Sequence, residues 1–303
     1  MHTEFRVDPG RGQTLLKDTL LRLMAAEGNY PAAGGLTLYR RHNNDMEHRP
    51  IIYQPVLIVI AQGEKSVKIG PDHFIYGEGS YFVTGVNMPT ACAVRGVSAD
   101  RPFLSLSLDI DKSLIARMAA EGGCEMKEPP RGSMVAPLEP ALLDALMRLV
   151  ELTERPDEAR VIAPLTVMEI HYRLLRGPFG SQLRALSLPG TLSNQVARSI
   201  VWLKENFREP FQIDDLAKRS NMSPSTFHKY FKNFTALSPL QYQKRLRLEE
   251  ANRLMLVRGY DAARASEAVG YESVQQFNRE YKSLFGAPPR RDIMKMRESG
   301  LAV

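Results

Sequence analysis

Two ten-residue segments near the carboxyl end of the sequence carry basic and amide side chains at matched positions. Residues 223–232 and 273–282 share a leading serine, a phenylalanine, an aromatic residue one helical turn later and a final lysine. Serine is a favoured amino-terminal helix cap, and aromatic residues four apart can face a core together. Each segment is therefore predicted to form a helix with one buried and one exposed face.

A short helix and a tight turn are predicted in front of each segment, over 213–220 and 262–269. Asn221 and Gly270 lie in the turns, and both residue types tolerate left-handed backbone. Helix, turn and helix, present twice, is typical of tandem helix-turn-helix units. In such a unit, early exposed positions of the second helix contact bases in the major groove.

The exposed side chains of the two second helices suit DNA contacts. Lysine and arginine can donate to guanine, glutamine can pair with adenine, and valine can touch a thymine methyl. The predicted base contacts are Ser225, His228, Lys229, Val274, Gln275 and Arg279. The predicted phosphate contacts are Arg247, Lys282, Arg290 and Arg291. For each one, a solvated surface side chain is the alternative.

The connector between the two units is predicted to be one continuous helix over 239–257. Its 19 residues span about 28 Å at about 1.5 Å per residue. Adjacent major-groove faces of B-DNA lie about 34 Å apart. A rigid helix of this length could therefore hold two second helices in neighbouring grooves of one duplex.

Positive charge is concentrated in the same region. Residues 190–303 contain 19 Lys and Arg against 12 Asp and Glu, whereas the rest of the chain contains 21 against 22. A basic domain joined to a nearly neutral one suits a polyanion binder attached to another module.

The amino-terminal part has the pattern of a β domain. An early helix over 14–24 is followed by short segments rich in β-branched and aromatic residues, separated by glycine and proline turns, which favours a sandwich or barrel. The predicted strands are 36–40, 56–61, 66–69, 73–76, 81–84, 91–94 and 103–108.

Two amphipathic helices are predicted after the strands, one carrying Leu142, Leu146 and Leu149 and the other Leu165 and Tyr172. Their apolar faces either cover the sheets or pair with a second copy of the chain, and periodicity leaves both open. A polar stretch over 187–193 is the predicted linker.

The sequence gives little support to membrane, secreted or catalytic classes of protein. The apolar run over 55–61 is too short to cross a bilayer, the amino terminus lacks a secretion signal, and Cys92 and Cys124 form no disulfide framework. A cytoplasmic location follows. His42 and His48 are six apart, without the closely spaced histidine pair of cupin enzymes, so neither a metal, a cofactor nor a catalytic residue is expected.

A closed barrel can hold one small molecule in its interior. The candidate effector-binding residues are Tyr39, His42, His48, Tyr53, Phe82 and Thr84. Whether Cys92 or Cys124 senses oxidants or electrophiles stays open.

The carboxyl-terminal residues resemble the AraC/XylS family of bacterial transcription regulators. The resemblance lies in 270–273, 277–282 and 285–289, with 238–242 in the connector. Asn221 and Ala236 depart from the family pattern, because glycine is usual at both positions. Residues 55–65, 105–111 and 169–178 also resemble the branch in which a cupin-like barrel precedes the DNA-binding domain.

This resemblance implies an α+β multidomain protein in three parts. These are a cupin-like effector-sensing barrel over 1–136, a helical dimerisation hairpin over 137–187, and an all-α domain with two helix-turn-helix units over 188–303. The expected partners are double-stranded promoter DNA, an unknown small-molecule effector, a second copy of the chain and RNA polymerase, with no membrane. Two alternatives remain: a cupin-type metalloenzyme fused to a DNA-binding domain, and a regulator whose barrel only oligomerises.

Overall fold

A β-sheet domain is followed by a helical domain in the computed structural model, which describes residues 9–42, 49–120 and 131–298. His48 and Cys124 lie outside the described residues. The strands of the described part are β1 (Gly28–Pro31), β2 (Leu36–Arg41), β3 (Arg49–Tyr53), β4 (Val56–Gln62), β5 (Glu64–Ile69), β6 (Asp72–Gly77), β7 (Ser80–Thr84), β8 (Met88–Arg95), β9 (Phe103–Asp109) and β10 (Ser133–Pro137).

All seven predicted strands are confirmed, and β1, β3 and β10 are additional. Each additional strand contains a proline, which weakens the strand pattern in sequence. All three lie at the edge of a sheet, where a missing backbone donor is tolerated.

The strands form two antiparallel sheets, in the orders β1-β2-β9-β4-β7-β10 and β3-β8-β5-β6. Closure into a barrel requires hydrogen-bonded pairing across every edge. No strand pair within 9–42, 49–120 and 131–298 joins the two sheets. The predicted closed barrel is therefore wrong, and the domain is a two-sheet sandwich whose inner faces meet through side chains such as Tyr76 and Phe82.

Helices surround the sandwich and make up the remainder of the chain. Those of the described part are α1 (Pro9–Leu23), α2 (Lys112–Ala119), α3 (Pro140–Glu151), α4 (Pro156–Arg176), α5 (Gly180–Ser187), α6 (Leu192–Glu205), α7 (Ile213–Arg219), α8 (Pro224–Thr235), α9 (Pro239–Val257), α10 (Ala262–Ala268), α11 (Val274–Phe285) and α12 (Pro289–Glu298). Helix α9 has the bounds predicted for the connector. None of these helices has both the length and the apolar character of a membrane span.

The two helices of the α3–α4 hairpin differ in where their apolar faces lie. On α3, Leu142, Leu146 and Leu149 are at most 3% exposed and belong to the main core. On α4, Leu165 is 55% and Tyr172 is 50% exposed. The α3 face therefore packs inside the molecule, whereas the α4 face lies on its surface.

The strand pair β3–β8 contacts the connector helix α9. The Tyr242 hydroxyl donates to the Asn87 carbonyl at 3.2 Å, and it is fully buried. The Arg245 guanidinium donates to the Thr90 carbonyl at 2.7 Å. Backbone groups of the sandwich are therefore bonded to the helix that connects the two helix-turn-helix units.

A second contact joins the sandwich to the end of the chain. Arg49, at the start of β3, lies 3.4 Å from the Asp292 carboxylate of α12. Asp292 is 7% exposed and also accepts hydrogen bonds from the Tyr281 hydroxyl (2.7 Å) and the Asn252 amide (3.1 Å). Because a buried carboxylate needs such partners, this cluster fixes α9, α11 and α12 together.

Candidate functional site

The first helix-turn-helix unit consists of α7, a tight turn and α8. Ser223 caps α8 by accepting from the Thr226 amide at 3.3 Å. Phe227 and Phe231 are fully buried, with ring centres 5.6 Å apart. The aromatic residues therefore turn the opposite face of α8 outward, as the sequence predicts.

The second unit repeats this arrangement with α10 and α11. Ser273 caps α11 through the Gln276 amide at 3.3 Å, and the buried Phe277 and Tyr281 rings lie 5.6 Å apart. Gly270, in the turn, has a φ of 84°, and a Cβ there would lie 2.6 Å from the Arg208 carbonyl oxygen. Only glycine fits at this position, because the turn lies so close to the Arg208 carbonyl in the loop before α7.

Asn221 and Ala236 keep the family geometry without glycine. Their φ angles of 48° and 59° make them the two non-glycine residues with left-handed backbone in the described part of the chain. Ala236 ends α8 as Gly286, with a φ of 81°, ends α11. An alanine in this conformation costs about 1–2 kcal/mol relative to glycine, so the first unit carries strain that the second lacks.

The predicted base-contacting side chains are accessible. Phe227 and Phe277 point inward, so the early positions beside them face solvent. Ser225, Lys229, Val274, Gln275 and Arg279 are exposed, and His228 is half-buried. Contact of these six residues with bases stays a prediction.

Two of the predicted phosphate contacts lie beside Arg279. Lys282 and Arg290 line a groove with Arg279, and Arg291 borders the adjoining depression with both of them. All four side chains are exposed. This part of the second unit therefore presents a continuous basic surface that begins at its second helix.

Arg247 occupies a different environment. Its guanidinium donates to the carbonyls of Phe207, Arg208 and Gly270, each at 2.8 Å, and lies 5.9 Å from the centre of the Tyr271 ring. The first two carbonyls belong to the loop before α7 and the third to the turn before α11. Arg247 therefore bonds the first unit to the second through the connector helix.

Glu280 also attaches α11 to the connector helix. Its carboxylate accepts from the Lys244 ammonium and the Tyr271 hydroxyl, both at 2.7 Å, and from Gln276 at 3.1 Å. Burial alone would raise the pKa of Glu280, but these hydrogen bonds and the Lys244 charge outweigh burial and lower it. The charged carboxylate is thus the form that holds the second unit on α9.

An aromatic cluster fills part of the space between the two sheets. The Phe82 ring lies 5.9 Å from both the Tyr53 and the Tyr76 rings. The Tyr53 hydroxyl lies 2.9 Å from the sulfur of Cys92, which is buried. Lys65 lies with its ammonium 5.2 Å from the centre of the Tyr53 ring.

The other candidate effector-binding residues have partners of their own. The Tyr39 hydroxyl lies 3.1 Å from that of Ser107. The Thr84 hydroxyl donates to the Val86 and Gly132 carbonyls. His42 accepts from the Arg40 guanidinium at 2.9 Å and lies 3.9 Å from Glu27. Of the predicted set, Tyr53 and Phe82 are the pair that the structure brings into ring contact.

Sequence reasoning missed Lys65 and Tyr76 as members of this cluster. The predicted strand begins at Ser66, which places Lys65 in the preceding turn and gives no indication of which face its side chain occupies. The pairing of Lys65 with Tyr76 across β5 and β6 supplies the missing information. Among the residues described, no group of three histidine, cysteine or carboxylate side chains is placed to hold a metal ion.

Two family profiles match the chain. The AraC-type transcriptional regulator N-terminus matches residues 32–182. A helix-turn-helix domain matches residues 216–292. The first range covers most of the sandwich and the α3–α4 hairpin, and the second covers nearly all of both helix-turn-helix units.

Individual relatives and solved structures agree with these matches. An uncharacterized HTH-type transcriptional regulator, YobQ of Bacillus subtilis, is 24% identical over 91% of this chain and 95% of its own. The thermoregulatory protein LcrF of Yersinia pestis is 24% identical over 70% of this chain and 75% of its own. ToxT of Vibrio cholerae has the same fold, with a TM-score of 0.54 at 11% identity over 88% of this chain and 97% of ToxT. With a regulatory β domain joined to paired helix-turn-helix units, the chain is a DNA-binding transcription regulator and belongs to the AraC/XylS family.

Proposed function

We propose that this regulator acts as a cytoplasmic homodimer, binds a small effector between its two sheets, and grips promoter DNA with both helix-turn-helix units of each protomer. It recruits or contacts RNA polymerase there and catalyses no reaction. The predicted boundaries, at 136–137 and 187–188, separate the sensing, dimerising and DNA-binding parts. The observation that carries the proposal is the placement of the exposed faces of α8 and α11 on one continuous helix, α9.

The basic surface beside Arg279 supports sequence-specific contact. Arginine donates two hydrogen bonds to guanine in the major groove, and each such pair discriminates bases by about 1–3 kcal/mol. Phosphate contacts add affinity that falls with salt and does not depend on sequence. Substitutions of Arg279 and of Lys282 are thus expected to change DNA binding in different ways.

Arg279→Ala is expected to remove base preference at one position of the site, worth about 1–3 kcal/mol. Lys282→Ala, the matched comparison, should weaken binding to all sequences alike and reduce the salt slope by about one. Gel retardation on the protein's own promoter region and on single-base variants, over a salt series, measures both. If Arg279→Ala loses affinity for all sequences alike, Arg279 contacts phosphate and not a base. If wild-type protein does not retard the DNA at low salt, DNA binding itself is contradicted.

Effector control is supported by the contacts of β3 and β8. Tyr53 and Cys92 face the aromatic cluster, whereas their neighbours on the same strands are bonded to α9. Glu249 of α9 is hydrogen-bonded to the backbone of Ile52. A ligand that displaces Tyr53 therefore shifts backbone that holds the connector helix. ToxT, which shares the fold, has been solved with an unsaturated fatty acid bound.

Dimerisation is supported by the exposed face of α4. Val161, Leu165, Met168 and Tyr172 recur at three- and four-residue spacing and are 41–66% exposed. Contiguous apolar side chains on a helix surface mark association sites in proteins that otherwise expose apolar residues singly. A second copy of the chain that presents the same α4 face would cover the apolar faces of both protomers, as a two-fold interface requires.

Leu165→Lys is expected to convert a dimer into a monomer at micromolar concentration, because it places a charge at the centre of this face. Ile75→Lys is the matched control, since Ile75 is 51% exposed on β6 and lies outside α4. Sedimentation velocity measures both variants. A wild-type monomer, or a Leu165→Lys dimer as tight as wild type, would contradict dimerisation through α4.

A further inference from the structure

Lys65, a half-buried side chain of β5, places its ammonium beside the aromatic cluster between the sheets. It is the cross-strand partner of Tyr76, so both side chains leave the same face of the sheet. Its ammonium lies over the Tyr53 ring at 5.2 Å. Within residues 9–42, 49–120 and 131–298, no carboxylate lies within ion-pair distance of the Lys65 ammonium, and its charged group lies against the Tyr53 ring instead.

Tyr76 adds an unused hydrogen-bond donor at the same place. Its side chain is 4% exposed and its ring is stacked on Phe82. Its hydroxyl has no hydrogen-bond partner among the residues that the structure describes. Burying such a group unpaired is destabilising, and a ligand that accepts this hydrogen bond would remove that cost.

The charges around Lys65 favour a negatively charged ligand. Burial is the main cause that lowers the pKa of Lys65; the Cys92 thiol opposes this effect, and the Arg41 guanidinium adds to it. The Lys65 side chain is half-buried, and an anion beside a partly desolvated ammonium stabilises its charged form. Neighbouring surfaces are aromatic, because Tyr53, Tyr76 and Phe82 are in ring contact.

We propose that the sandwich interior binds a small organic monoanion, a carboxylate joined to an apolar or aromatic body. The carboxylate accepts from the Lys65 ammonium and the Tyr76 hydroxyl, and the body lies against Phe82 and Tyr53. A single ammonium with one hydroxyl matches the two oxygens of a carboxylate better than a phosphate dianion, which needs more donors. This inference rests on the proposed effector function and names the chemical class of the effector.

The test compares acids with their own amides on the full chain. The probes are benzoate, 4-phenylbutyrate and octanoate, each beside the corresponding primary amide, in thermal-shift and calorimetric titrations. At least one acid should raise Tm and its amide should not. Lys65→Met should weaken acid binding by about tenfold or more, with Lys65→Gln as the second variant if the first fails to fold. Lys68→Met, which removes an exposed lysine from the same strand, should bind as wild type does.

Tyr76→Phe separates a ligand contact from a structural role. Removing an unpaired hydroxyl should leave Tm without ligand unchanged or raised, and should weaken acid binding several-fold. A Tyr76→Phe protein that is less stable and binds acids normally would remove Tyr76 from the site.

Three results would overturn the anion site: amides binding as well as acids, equal acid binding by wild type and Lys65→Met, or no Tm shift with any acid up to millimolar concentration. A neutral ligand that alters promoter retardation would leave effector control intact and exclude the anion class. Acids that bind through Lys65 without altering promoter retardation would support the anion site and contradict effector control.

Discussion

Arg247→Met is expected to reduce affinity for a complete DNA site by about tenfold or more, with little effect on a half-site that one unit contacts. Arg247 donates to two carbonyls of the loop before α7 and to the Gly270 carbonyl before α11. Hydrogen bonds from charged groups contribute about 1.5–3 kcal/mol each, and methionine supplies no donor. Without these bonds the two units remain on α9, but their mutual orientation loosens.

The same substitution distinguishes this role from the phosphate contact that the sequence predicts. A phosphate contact would weaken complete and half-sites alike and reduce the salt slope by about one. Arg253→Met is the matched control, since Arg253 is exposed on α9 and pairs with Glu250, and its loss should change stability by at most about 0.5 kcal/mol. Retardation on both kinds of site, with urea unfolding of each variant, decides between the two roles.

The helical domain was predictable because its signals are local. Ser238 and Gln241 form a capping box at the start of α9, and serine caps with aromatic residues four apart recur in α8 and α11. Such patterns lie within a few residues of each other, so one sequence displays them. The outward facing of Lys229 and Arg279 follows directly from the inward facing of the phenylalanines.

The features that the sequence does not display are contacts between residues that are distant in sequence. Arg247 bonds to carbonyls 39 and 40 residues before it and 23 after it, and its residue type suits phosphate equally well. Alternation predicts strands but does not specify which edges pair, so it could not distinguish a sandwich from a closed barrel. Lys65 joins the interior only through its pairing with Tyr76, which no local pattern encodes.

The sharpest test of the shared connector changes the DNA and leaves the protein intact. Inserting five base pairs between the two segments that one protomer protects turns the second segment by about half a helical turn. Helix α9 is continuous, and Arg247 and Glu280 hold the second unit on it. The second unit then faces away from its groove, so affinity should fall by about 100-fold or more, toward that of one unit.

Inserting ten base pairs restores the helical face but moves the second segment about 34 Å farther along the duplex. The 19 residues of α9 span about 28 Å, so affinity should not recover. Replacing the intervening base pairs without changing their number is the control, and it should leave binding nearly unchanged. If affinity recovers with the ten-base-pair insertion but not with the five-base-pair insertion, the link between the two units is flexible. Full affinity at five would mean that one unit alone holds the DNA, and the rigid spacing by α9 would then have no role in recognition.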